Sequence, residues 1–142
     1  MITRTLPAAV LGVLFSTFAF AQSRPDFSGT WNAPGSPLTI TIRQDDRTLT
    51  IGQGPDARIY NLDGSDSHFQ ATGRIGVSQL TAHARWVGAA LVIATTTVSP
   101  IGTWEDLEVY SLDYGSKLSV VQVGTQTTSP MMSTTVKTYT KS

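Results

Sequence analysis

The sequence predicts an all-β domain, an antiparallel up-and-down meander of about eight to ten strands closed or nearly closed into a barrel. Three observations predict it. No window of the mature region shows a sustained helical apolar period. Short runs of β-branched and aromatic residues recur at intervals of about 10–15 residues, each ended by a turn signal, which is the rhythm of a barrel or sandwich. Thr is the commonest residue in the chain, and Thr favours strands. Short turns make each strand pair with its sequence neighbour, and closure into a barrel removes the exposed edges that a sandwich keeps.

Residues 1–21 read as a targeting segment rather than as part of the fold. Arg4 supplies a positive start, an apolar run follows to Phe20, and Ala19-Phe20-Ala21 places small residues where signal peptidase needs them. The run is shorter than the ~20 residues that span a bilayer. The expectation is therefore a signal peptide cleaved after Ala21, a periplasmic or secreted product, and a single barrel domain over residues 22–142.

The strands then follow in order. Residues 29–33 open after Pro25-Asp26. In 38–43, Leu38, Ile40 and Ile42 alternate with Thr39, Thr41 and Arg43, and Gln44-Asp45-Asp46-Arg47 turns the chain. Residues 48–53 carry Leu49 and Ile51 on one face. Residues 58–62 end at Asp63-Gly64, a strong reverse-turn pair. Residues 69–75 are ambiguous because Gly73 and Gly76 weaken them. In 79–86, Leu80, Ala82, Ala84 and Trp86 share a face opposite Thr81, His83 and Arg85. The return strand 90–98 is apolar on both faces, as a central strand is. Residues 103–112 place Trp104, Asp106, Glu108 and Tyr110 on one face. Residues 118–123 and 133–139 complete the set.

Composition excludes several functions. The chain has no Cys, which removes disulfides, thiolate metal sites and cysteine catalysis. Ten basic and ten acidic side chains balance, so no basic footprint for nucleic acid exists. Only His68 and His83 are imidazoles, too few for a histidine metal centre, and both read as solvated. Gly52-Gln53-Gly54-Pro55-Asp56-Ala57 mimics a dinucleotide fingerprint but joins two strands and opens no helix. Faces bearing Thr39, Thr41 and Arg43, or Thr81, His83 and Arg85, lack the apolar band of a membrane-spanning barrel. No cofactor, metal or catalytic role is expected.

Asp26-Phe27-Ser28-Gly29-Thr30-Trp31 contains a Gly-x-Trp that opens the first strand. In this the chain resembles the calycin group: lipocalins, fatty-acid-binding proteins and avidins. Leu112-Asp113-Tyr114 keeps two residues of the lipocalin Thr-Asp-Tyr turn, although the helix that follows a lipocalin barrel has no counterpart here. The chain is also similar to small exported bacterial proteins that begin Asp-Phe-Ser-Gly-Thr-Trp, a likeness that brings no activity with it. The calycin resemblance implies that Trp31 plugs one end of the barrel and that Gly29 permits close backbone approach.

The functional expectation is an exported lipocalin-like barrel binding a small apolar or amphipathic molecule, with Trp86, Trp104, Tyr110 and Ile93 as candidate lining residues. Two rivals stand beside it. One is a solid-core interaction protein of the cell envelope. The other is a glycoside hydrolase using Asp106 and Glu108, neighbours whose backbone spacing of about 7 Å fits the range of catalytic carboxylate pairs. For those carboxylates the sequence favours a solvent-facing strand with cationic residues opposite.

Overall fold

The computed structural model describes residues 23–142 except 115 and 128, so the targeting segment lies outside the described residues. Ten strands follow in order: β1 (Gly29–Asn32), β2 (Thr39–Gln44), β3 (Thr48–Ile51), β4 (Arg58–Asn61), β5 (Asp66–Gly73), β6 (Gly76–Val87), β7 (Ala90–Ser99), β8 (Gly102–Leu112), β9 (Lys117–Gln126) and β10 (Ser129–Lys141). Among the described residues the one helical turn is a 3-10 turn at Gly54–Asp56, started by Pro55.

All ten strands form one antiparallel sheet in the order β4-β3-β2-β1-β10-β9-β8-β7-β6-β5. The sheet curls into a nearly closed barrel with one unsealed seam, between β4 and β5. The shape is compatible with a calycin-like barrel. The first and last strands meet where β1 pairs with β10, Trp31 opposite Lys141.

Several strands run beyond their sequence signals. The ambiguous 69–75 segment is a strand that begins at Asp66 and stops at Gly73, leaving Arg74 and Ile75 in the hairpin turn. β10 starts at Ser129 and continues to Lys141, with a register shift between Ser129 and Met132. Pairing to β9 holds its polar Thr-rich stretch extended, a tertiary effect that local composition does not encode.

The two halves of the sheet differ in height. β1 to β4 have four to six residues each, whereas β5 to β10 have eight to thirteen. The short strands therefore wall only the lower part of the barrel, and the upper inner face of the tall strands is left open.

The lower part is packed solid. Phe27, Leu49, Leu91, Ile93 and Leu118 are fully buried, and Trp31 and Ile42 are 1% exposed. Each such side chain contributes about 1.5–3 kcal/mol on burial. Segment 25–28 folds across this end. Gln44 holds it by accepting from the Phe27 N–H (3.0 Å) and donating to the Pro25 carbonyl (3.0 Å). The Phe27 ring stacks on Trp86 at 5.8 Å, and the Trp31 indole N–H donates to the Phe27 carbonyl at 2.9 Å. At Gly29, φ is +144°, a backbone conformation that favours glycine, and a Cβ there would also have to displace the end of the Lys141 side chain.

Candidate binding site at the open end

Strand alternation decides which side chains face the open end. On β8, Tyr110 points into the core, so Glu108, Asp106 and Trp104 point inward above it. The registers place Glu108 between Ile93 of β7 and Gln122 of β9, and Asp106 between Thr95 and Gly124. Trp104 lies between Thr97 and Gln126. The carboxylates are thus not on a solvent-facing strand with cationic residues opposite, as the sequence favoured. Burial of Tyr110 in the core places the whole alternating set inward.

Thr95, Thr97, Asp106 and Glu108 line a cavity of about 350 Å³ together with Arg58, Ala71, Ser78, Leu80 and Gln122. Its walls are mostly polar. A second pocket of about 290 Å³ adjoins it beside Trp104, sharing Asp106 and reaching Gly124, Gln126, Met131, Met132 and Ser133. Gly124 makes room for the carboxylate, because a Cβ there would lie 2.8 Å from Asp106 Oδ1. The seam opens a third space of about 510 Å³ beside Pro55, Arg58, Phe69 and Ala71. Toward the closed end the seam is held shut. The Asn61 N–H donates to Ser67 Oγ at 2.8 Å, Asn61 Nδ2 donates to the Asp66 carbonyl at 3.0 Å, and Tyr60 meets Phe69 edge-on at 5.2 Å.

Glu108 sits at the boundary between the apolar floor and the polar mouth. Burial raises its carboxyl above the usual range, and the charge of Asp106 adds to this. The Tyr110 hydroxyl, which donates to Glu108 Oε2 at 3.1 Å, and the charges of Arg58 and Lys137 pull it back. Burial, then the Glu108 charge, also raises Tyr60, Tyr110 and Tyr139. Three phenols stay protonated around one carboxyl.

The four residues singled out from sequence part company. Trp104 stands at the mouth. Tyr110 is 5% exposed and meets the site through its hydroxyl alone. Ile93 is buried in the floor, and Trp86 packs at the closed end with Phe27 and a cation–π contact from Arg24 at 5.5 Å. Arg58, Gln122 and Gly124 carried no sequence signal, because their convergence depends on strand register across the sheet. His83 is half exposed, 3.2 Å from Asp66, and His68 contacts Thr81 at 3.3 Å, both outside the barrel. Among the described residues no His, Cys, Asp and Glu side chains group as metal ligands.

Comparison of the chain with protein-family models and with curated proteins gave no match.

Proposed function

We propose that this protein binds a small amphipathic molecule bearing hydroxyl groups in the open end of its barrel. One observation carries the reading: Asp106, Glu108, Gln122, Thr95 and Thr97 converge on a cavity of about 350 Å³, within the range of small-molecule sites. Carboxylates and an amide side by side accept and donate toward neighbouring hydroxyls, and the indole of Trp104 offers a flat apolar face next to them. The floor is filled, so the apolar part of a ligand lies against Trp104 or in the seam rather than deep in the barrel. A solid-core interaction protein accounts for the lower half of the molecule but not for this polar mouth. Export, as residues 1–21 lead us to expect, gives such a protein access to envelope or environmental compounds.

Tryptophan emission tests it. Trp31 and Trp86 report from the closed end and Trp104 from the mouth. A panel of sugars, polyols and hydroxylated amphiphiles should include one that changes emission saturably, and Trp104→Phe should remove that change. Glu108→Gln and Asp106→Asn should each weaken binding about tenfold or more, or about 1.4 kcal/mol. No saturable response across the panel overturns the reading.

The raised Glu108 beside Asp106 favours a second reading, glycoside hydrolysis with Glu108 as acid and Asp106 as its partner. It requires turnover of an aryl glycoside that both substitutions abolish.

A further inference from the structure

The inner face of the tall strands forms a trough rather than a cup. Three adjoining spaces lie along it, across the strands. The space of about 510 Å³ at the seam shares Arg58, Ala71 and Leu80 with the central cavity of about 350 Å³. The central cavity shares Asp106 with the pocket of about 290 Å³ against β9 and β10. The line runs from β5 to β10, and six strands about 4.8 Å apart give it a length of about 24 Å. Neither end is walled. At one end no ladder joins β4 to β5. At the other, β1 pairs with β10 only at Thr140 and Lys141. Among the described residues, the stretch of β10 beside the last pocket therefore has no strand beyond it.

Register sets what the trough displays. One row across the strands reads Phe69, Leu80, Thr97, Trp104, Gln126, and the row beneath it reads Ala82, Thr95, Asp106, Gly124, Ser133. The upper row carries two partly exposed aromatic rings three strands apart, a separation of about 14 Å. The lower row, with Glu108 and Gln122 below it, supplies hydroxyl, carboxylate and amide groups from β7 to β10. Flat apolar faces and hydrogen-bonding groups thus lie side by side along one line. Charge in the middle is nearly balanced, since Arg58 and Lys137 act on Glu108 against Asp106, and Asp56 adds a carboxylate at the seam end.

We propose that the ligand of this site is an internal stretch of a linear, neutral polysaccharide, about four sugar units long, laid across the strands. The inference rests on the reading of the open end as a site for a hydroxyl-bearing molecule, and it names the class of that molecule. A sugar ring has apolar faces and a hydroxylated rim, so a unit stacks on an aromatic ring while its rim bonds to the polar row. The step from ring to ring along such a chain is close to the spacing of strands, so successive strands meet successive units. A single small molecule fills the central cavity and leaves the spaces on either side of it unused. An extended peptide pairs with a strand edge, whereas the trough offers side chains on a paired sheet face. A fatty chain finds no continuous apolar lining. Nearly balanced charge gives no advantage to a polyanion or a polycation. Openness at both ends lets the polymer continue in both directions.

Calorimetric titration with oligosaccharide series tests the proposal. The probes are α-1,4-linked glucose and β-1,4-linked glucose, xylose and N-acetylglucosamine, each from a single unit upward. In one series affinity should rise about tenfold or more on lengthening and level off after about four units. The soluble polymer of that linkage should compete with the four-unit member. Ala71→Trp at the seam end and Ser133→Trp at the β10 end should each make affinity level off at a shorter chain. Val98→Trp, on the outer face, should leave the whole profile within about twofold. All three positions are exposed, and an unchanged melting temperature verifies that each variant is folded. Glu108→Gln should weaken every length alike, the single unit included, because it acts on the central unit. Binding of a single unit with no gain on lengthening overturns the proposal and leaves the small-molecule reading standing, as does binding of a compound that is not a sugar while every series fails. Failure of the polymer to compete makes a chain end necessary and also overturns it. No binding by any compound overturns both readings.

Discussion

Trp31 and Glu108 show how much one side chain carries in this protein. Trp31 is 1% exposed, bonded through its indole N–H to the Phe27 carbonyl, and covered by Lys141 Nζ at 5.5 Å from the ring. Trp31→Ala should cost about 3–5 kcal/mol in denaturant unfolding, while Thr30→Ala, on the exposed face of β1, should cost little. Glu108 makes stability depend on pH. Its folded carboxyl holds a proton more tightly than the unfolded chain does, so its contribution is fully present below the ordinary value of 4.5 and is lost as pH rises through the raised folded value. Asp26, Asp45 and Asp63 act in the opposite sense. Hydrogen bonds from Ser28 hold Asp26 below the ordinary 3.8, those from Arg47 and Thr48 do so for Asp45, and those from Ser65 for Asp63, so their contribution is present above 3.8 and lost as pH falls through the depressed values. Glu108→Gln should therefore become more stable relative to the wild type as pH rises above 4.5 and leave the acid limb unchanged, a comparison that melting curves at stepped pH make directly.

At the scale of elements, β4 and β5 set the character of the barrel. They are consecutive in sequence, yet no ladder joins them. Turn residues 62–65 and the hydroxyl of Ser67 bring them together at the closed end, and the 3-10 turn at Gly54–Asp56 stands beside the gap at the open end. Ser67 is 6% exposed, and its hydroxyl satisfies the Asn61 N–H in place of the missing ladder. Ser67→Ala should cost about 1–3 kcal/mol, because it leaves a backbone donor unpaired at the seam. It should also speed amide exchange across 58–61, whereas Ser65→Ala in the exposed turn should do neither. The sequence shows a strand signal at 58–62 and an ambiguous one at 69–75, with nothing to mark the seam between them as unsealed. Strand propensity reports a residue's fit to a pleated surface and says nothing about which neighbour completes that surface.

For the whole molecule, closure depends on a charged base, a filled floor and an open mouth, each made by a different part of the chain. Segment 25–28 seals the floor, so the position at which the mature chain begins matters. Cleavage after Ala21 leaves this segment intact with a few residues to spare. N-terminal sequencing of exported protein should begin at Gln22, and Met1 retained in the soluble exported fraction would contradict it. The mouth exists because β1 to β4 are too short to reach the upper part of β5 to β10, which exposes the inner face carrying Thr97, Trp104, Asp106 and Gln122. The ligand expected in the mouth is accordingly more polar than the mid-chain aromatics and small residues suggested.

Sequence alone determined the all-β class, the meander and most of the turns, because alternation and turn chemistry are local and survive without knowledge of the partner strand; the burial of Trp31 was what the calycin resemblance implied. It also placed Trp104, Asp106, Glu108 and Tyr110 on one face, since a period of two is a property of the strand itself. Which way that face points was decided by the tertiary structure. A strand with an aromatic-and-acidic face opposite Leu107 and Val109 has two defensible orientations, and only packing of Tyr110 against Phe27 and Leu91 selects between them. The convergence of Arg58, Gln122 and Gly124 on the two carboxylates, the unequal wall heights and the open seam arise in the same way. They are products of register and closure, which join residues far apart in the chain and leave no pattern in any single segment.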